Sequence, residues 1–205
     1  MLWNKKIFTP TNLHKTIFLE IMNPTLLLID IQNDYFSGGK MELIKMDEAT
    51  ENAQKLLSYF RKNKLPIVFI QHLATKPNAS FFIPGTSGAE IHNSIQPLDN
   101  ETVIIKNFPN SFRNTNLQEH LQALNSTNLV ICGAMSHMCV DTTTRAAADL
   151  GYSCTLIADA CATRDLVFNV QKVKAADVQI AYMAALNGTF AEVISTDQFM
   201  ESMIK

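Results

Sequence analysis

Little in this sequence suggests a nucleic-acid surface, a membrane span or a metal-binding cysteine cluster. A formal net charge of −2 over 205 residues gives no electrostatic reason to expect DNA, RNA or an anionic membrane as partner, and no basic stretch makes a local exception. A transmembrane helix needs roughly 18 or more continuous apolar residues, and every apolar run here is far shorter. None of the four cysteines (Cys132, Cys139, Cys154 and Cys161) belongs to a CxxC pair, which removes zinc-finger and thioredoxin-like readings. No secretory signal is expected either. Residues 1–21 contain Lys5 and Lys6, but Pro10, Asn12, His14 and Lys15 break up any apolar centre. Reduced thiols and a cytoplasmic location are therefore expected.

What is present fits an ordinary globular chain. Apolar residues make up 47% and charged residues 18% of it, and the length suffices for one well-filled core. No internal repeat or interdomain linker interrupts the chain. Met22 stands just before the first clear strand. The expected organisation is an extension over residues 1–21, outside the core, and one domain over 22–205. An over-called start or a docking arm are the two readings of the extension.

Short apolar runs at 25–30 (TLLLID), 66–71 (PIVFIQ), 102–106 (TVIIK), 129–133 (LVICG), 153–158 (SCTLIA) and 190–195 read as six strands. Helical spacing of apolar residues lies between them, at 47–63, 116–124, 138–150 and 170–186, with a last helix at 196–203. The stretch 72–100 is rich in Pro, Gly, Asn and Ser and reads as a long excursion with one helical turn near 89–92; loops of that length in a compact domain are usually functional. Strands alternating with helices predict an α/β fold, a doubly wound and mostly parallel six-stranded sheet with helices on both faces.

In such a sheet, sites form beyond the carboxyl ends of the strands. Asp30 ends the first strand, Lys106 ends the third, and Cys139 opens the helix after the fourth. A cysteine at a helix N-terminus differs from a buried one, because the dipole there favours the thiolate. Cys132, Cys154 and Cys161 read instead as small core residues. Asp30 alone could be a turn former, and Asp34 nearby raises a metal loop, although the glycine and distal glutamate of a calcium site are missing. Lys106 alone could be a solvated amine.

The segments 27–36 (LLIDIQNDYF), 103–112 (VIIKNFPNSF) and 131–147 (ICGAMSHMCVDTTTRAA) together resemble the isochorismatase-like cysteine hydrolases, whose amidase branch includes nicotinamidases and N-carbamoylsarcosine amidohydrolases. The resemblance runs from Pro24 to about Val193. It implies a catalytic triad of Asp30, Lys106 and Cys139, with Cys139 as nucleophile, Asp30 as proton carrier and Lys106 as a fixed cation. It also implies an oxyanion hole from the backbone N–H groups of Met135 and Cys139, and a cis peptide between Ala134 and Met135.

Nicotinamidases carry an Asp-x-His pair and a further His that hold a metal; the aligned positions here are His72, Ala74 and Asn78. One possible ligand falls short of the three or more that such a site needs. No metal and no cofactor are expected, and nicotinamide is in doubt as substrate. The branch that cleaves isochorismate lacks this cysteine, so Cys139 also counts against vinyl-ether hydrolysis. Phe36, Phe81, Phe82, Phe108 and Phe112 fall in segments that should face the triad, and each could be core or pocket. His137 could bind substrate or be a satisfied turn histidine, and Arg145 reads as a structural or subunit-contact residue.

The expected activity is metal-independent, cysteine-dependent hydrolysis of a small amide or carbamoyl C–N bond through a thioester, by a homo-oligomer (dimer or tetramer). Two alternatives stand beside it: a metal-using nicotinamidase, and a non-catalytic binding protein that retains the fold. Three polar residues at one sheet edge would be costly relics in the latter.

Overall fold

The first strand shows why the chain folds as it does. β1 (Pro24–Ile29) is buried along its whole length, and successive side chains of a strand point to opposite faces. Leu26 and Leu28 accordingly join one core, with Ala53, Leu56, Phe60 and Phe199, while Leu27 and Ile29 join another, with Leu117, Leu121, Ala147, Met183 and Leu186. A run apolar at every position is what a sheet covered on both sides requires. Each such leucine contributes about 1.5–3 kcal/mol by burial, and Leu27→Ala would cost about 2–5 kcal/mol.

The computed structural model describes residues 24–203. The extension expected at residues 1–21 lies outside them. β1 is followed by β2 (Ile67–His72), β3 (Thr102–Lys106), β4 (Asn128–Ala134), β5 (Ser153–Ala162), a hairpin of β6 (Leu166–Phe168) and β7 (Gln171–Val173), and β8 (Glu192–Ile194). The six-stranded sheet has the order β3-β2-β1-β4-β5-β8, and its neighbours pair in parallel. The helices are α1 (Met46–Lys62), α2 (Leu117–Ala123), α3 (Asp141–Asp149), α4 (Ala175–Leu186) and α5 (Thr196–Ser202). α1 and α5 supply the first core; α2, α3 and α4 supply the second. The expected doubly wound α/β architecture is the one observed. No helix among the described residues is long and apolar enough to cross a membrane.

The chain winds outward from β1 to β3 and then returns to place β4 on the other side of β1. That reversal opens a crevice beyond the carboxyl ends of β1 and β4. The two strands approach so closely there that a Cβ at Gly133 would overlap the Ile29 carbonyl oxygen, and the φ of 126° at Gly133 excludes a side chain as well.

Three elements depart from expectation. The helix predicted over 170–186 starts only at Ala175, because Asn169 and Val170 both take positive φ (46° and 62°) and close the two-residue turn of the β6–β7 hairpin. Asn-Val is an unusual pair for that turn, and Val170 and Val173 matched the helical period by chance. The helical turn predicted near 89–92 is replaced by 3-10 turns at Ser87–Ala89 and Asn93–Ile95, with Ile91 between them bridging to Gln32. The helix predicted over 138–150 begins as a π-helical turn, Ser136–Val140, before α3.

Candidate active site

The crevice is filled by residues delivered from three strands. Asp30 follows β1 in a left-handed conformation (φ 51°) that few residues other than Gly, Asn and Asp adopt. Lys106 is the last residue of β3, two strands away, and its side chain passes over the end of β2 to bring Nζ within 2.7 Å of Asp30 Oδ2. Both side chains are fully buried. The ammonium also donates to the carbonyls of Phe108 (3.1 Å) and Pro109 (3.2 Å) and lies 3.4 Å from His72 Nδ1. Burial alone would lower the Lys106 pKa, but Asp30 and Cys139 outweigh it and the net shift is upward. The contact to Asp30 is close, and the Cys139 thiol is a further partner of the same carboxylate.

Cys139 lies in the π-helical turn after β4 and is 5% exposed. Its sulfur, an Asp30 oxygen and a His72 ring nitrogen lie within 4.8 Å of one another. The expectation that the helix start and Lys106 would favour the thiolate needs correction. Burial raises the Cys139 pKa, the Asp30 charge raises it further, and Lys106 offsets only part of this. The resting sulfur is therefore a protonated thiol beside a carboxylate. The peptide bond between Ala134 and Met135, just ahead of this turn, is cis.

His72 and Tyr35 complete the surroundings, and neither was singled out from the sequence for this place. His72 pairs in register with Lys106, and the buried Gln32 side chain clamps its backbone, accepting from its N–H (2.7 Å) and donating to its carbonyl (2.9 Å). Burial lowers the His72 pKa, with Lys106 adding to the shift and Asp30 opposing it, so the ring is neutral near neutral pH. The common position of His72 and Lys106 at the ends of adjacent strands was the sequence signal for it. Tyr35 is buried with its ring 4.6 Å from Phe82; burial raises its pKa well above the usual value, and the Cys139 and Asp30 charges raise it further.

The six suggested pocket residues separate. The Phe81 ring lies 6.1 Å from Tyr35 and 4.9 Å from Phe82. Phe82 is buried with its ring 4.6 Å from Tyr35 and 5.8 Å from His72, at the edge of the site. Phe108 meets the site through its carbonyl, while its ring carries the Arg113 guanidinium at 3.8 Å. Phe36 stacks on His92 at 3.7 Å. Phe112 is not brought to the site: it stacks on Tyr152 at 6.1 Å, at the opposite end of the strands. His137 is buried with Nδ1 2.6 Å from Thr163 Oγ1. Arg145 pairs with Asp141 at 2.9 Å.

Asp34 is a loop pin, accepting the N–H groups of Phe82 (2.6 Å) and Lys40 (3.2 Å). Gly88 packs so tightly on its carboxylate that a Cβ would overlap it. Of the nicotinamidase metal positions only His72 offers a ligand, so the residues do not fit that metal. The grouping of His72 with Asp30 and Cys139 has the Lys106 ammonium in its midst, which opposes a cation there. Cys132, Cys154 and Cys161 are buried, and burial pushes Cys154 and Cys161 up to about 12.

The isochorismatase domain model matches residues 24–198. The chain is 49% identical over 180 residues to the isochorismatase family protein YddQ of Bacillus subtilis, covering 88% of this chain and 100% of that one. A streptothricin hydrolase of Streptomyces noursei is 31% identical over 167 residues, covering 82% of this chain and 57% of that protein. Among solved structures, an isochorismatase from Pseudomonas putida superposes with a TM-score of 0.82 at 41% identity, covering 87% of this chain and 90% of that one.

Proposed function

The chain belongs to the isochorismatase family of hydrolases, and from that premise we propose that it hydrolyses the C–N bond of a small amide or carbamoyl compound through a thioester on Cys139, without a metal. The observation that carries this reading is the buried Lys106–Asp30 ion pair at 2.7 Å with the Cys139 sulfur within reach of the carboxylate. A protonated thiol needs a base at the moment of attack, and Asp30 is the proposed base.

In the proposed cycle the sulfur attacks the carbonyl carbon while its proton passes to Asp30. Negative charge develops on the carbonyl oxygen, and the N–H groups of Met135 and Cys139 are the proposed donors to it. Collapse breaks the C–N bond, Asp30 returns the proton to the departing nitrogen, and a thioester remains. Water then adds to the thioester carbon, giving its proton to Asp30, and the acid leaves as the thiol is restored. Lys106 keeps one geometry for Asp30 through both halves. The hydrolase name of the Streptomyces noursei relative is consistent with this chemistry.

The test is ammonia release over a panel of primary amides and carbamoyl compounds, with mass spectrometry of the quenched protein. A mass increase matching the acyl group on Cys139, absent from a folded Cys139→Ala variant that has lost turnover, is the expected result. Activity of Cys139→Ala within tenfold of the unaltered protein would exclude the thioester.

A further inference from the structure

β4 and β5 run in register as far as Ile131 and Leu156, and resume with Gly133 opposite Cys161. Two steps along β4 are matched by five along β5, so β5 bulges just before β4 gives way to the Cys139 turn. A bulge interrupts the ladder, and the backbone groups it releases need other partners. Gln179 of α4 supplies one. Its Nε2 donates to the carbonyl of Ala158 at 2.9 Å and, more weakly, to that of Cys161 at 3.5 Å. Carbonyl oxygens only accept, so these contacts fix the orientation of the amide. Its Oε1 accepts the Ser136 hydroxyl at 2.6 Å.

Ser136 is fully buried and opens the π-helical turn that carries Cys139. Its hydroxyl also lies 3.1 Å from the Ala162 carbonyl, so one proton serves that oxygen and Gln179 Oε1. Inside the turn the N–H groups of Met138 and Val140 share a single acceptor, the Met135 carbonyl, at 3.0 and 3.2 Å. Side-chain ties supplement this sparse backbone bonding: Ser136 to Ala162 and Gln179, and His137 to Thr163. A residue needed only to satisfy the bulge would use its donor alone. Gln179 commits its acceptor to the turn as well.

We propose that Gln179 is a positioning residue: by holding Ser136 it sets the placement of the Cys139 turn, and with it the Met135 and Cys139 N–H groups assigned to the oxyanion. The proposal rests on the thioester reading for the use made of those N–H groups. The hydrogen bonds of Gln179 go to Ser136 and to β5, so its effect reaches the sulfur through Ser136. Misplacing a reacting or stabilising group by about 1 Å can slow a reaction about 100-fold.

The experiment uses two reagents on Cys139. p-Nitrophenyl acetate acetylates a thiol through an oxyanion, whereas iodoacetamide alkylates it by direct displacement without one. In Gln179→Leu and in Ser136→Ala, acetylation of Cys139, followed by peptide mapping, should slow about 10- to 100-fold while alkylation stays within about twofold. The double variant should be no slower than the slower single one, because both changes cut the same link. Acetylation as fast in both variants as in the unaltered protein overturns the proposal. So does an equal loss in both reactions, which reports general damage, or an additive loss in the double variant. Ser136→Ala leaves the Gln179 donors on β5, so the test survives a failure of Gln179→Leu to fold. Hydrogen exchange over residues 135–141 separates the two readings. Exchange that quickens in the variants supports the positioning role even if p-nitrophenyl acetate leaves Cys139 of the unaltered protein unmodified, in which case the thioester reading fails alone. Exchange unchanged in the variants overturns the role of Gln179.

Discussion

Lys106 Nζ lies 2.7 Å from Asp30 Oδ2 although β2 separates their strands in the sheet. Both side chains are fully enclosed, so each charge depends on the other for compensation. Removing one partner leaves a buried unpaired charge, which typically costs about 3–5 kcal/mol, whereas replacing both by apolar groups is often near neutral. Lys106→Met should therefore lose about 3–5 kcal/mol in urea unfolding. Asp30→Leu/Lys106→Met should recover most of that loss while remaining inactive. A double variant as unstable as the single one would mean that the pair holds the fold through its other contacts.

The Asp30 charge raises the Cys139 pKa, and burial raises it more. Iodoacetamide reacts with the thiolate, so alkylation of Cys139 at neutral pH should be slow and should rise with pH beyond the usual thiol value of about 8.5. Asp30→Asn removes a negative charge beside the sulfur and should lower that pKa. The variant should therefore alkylate faster than the unaltered protein while losing turnover. Rapid alkylation of the unaltered protein at pH 7, followed by peptide mapping to Cys139, would show that the resting sulfur is a thiolate.

Burial holds the thiols of Cys154 and Cys161 up to about 12, against about 8.5 in an unfolded chain. Above pH 8.5 the unfolded chain releases these protons and the folded chain keeps them. The folded state then binds more protons, so stability must fall as pH rises, by about 1.4 kcal/mol per pH unit for each such group. Urea unfolding between pH 8.5 and 10 should show that decline. In Cys154→Ala the slope should be shallower by one group's share, whatever the variant's absolute stability; an unchanged slope would remove Cys154 from the account.

The fold was legible because its strands are short and their burial pattern simple. The run TVIIK at 102–106 is β3 to the residue, and the fully buried TLLLI could only be an interior strand. The start of α4 was not legible, since Asn169 and Val170 reverse the chain in a conformation that a β-branched residue rarely takes. At the site, Asp30, Lys106 and Cys139 could be named from their positions at strand ends and from motif likeness. Their protonation could not, because it depends on angström-scale separations and on burial that no spacing encodes. His72 could be named only as a lone ligand position, and its place beside the Lys106 ammonium escaped for a related reason: it depends on which neighbours the sheet brings to it.

Phe82 and Phe112 separate site from scaffold among the aromatic residues. Phe82 is buried against Tyr35 and His72, so Phe82→Ala should disturb both the fold and the placement of those two residues, raising KM as well as lowering stability by about 3–5 kcal/mol. Phe112 is only half-buried and stacks on Tyr152, beyond the far end of α3 from Cys139. Phe112→Ala should lower stability by a smaller amount, about 1–3 kcal/mol, and leave KM and kcat near their original values. Steady-state kinetics beside thermal unfolding of both variants provides the comparison. A change in KM from Phe112→Ala as large as that from Phe82→Ala would place Phe112 on the substrate, against its position in the fold.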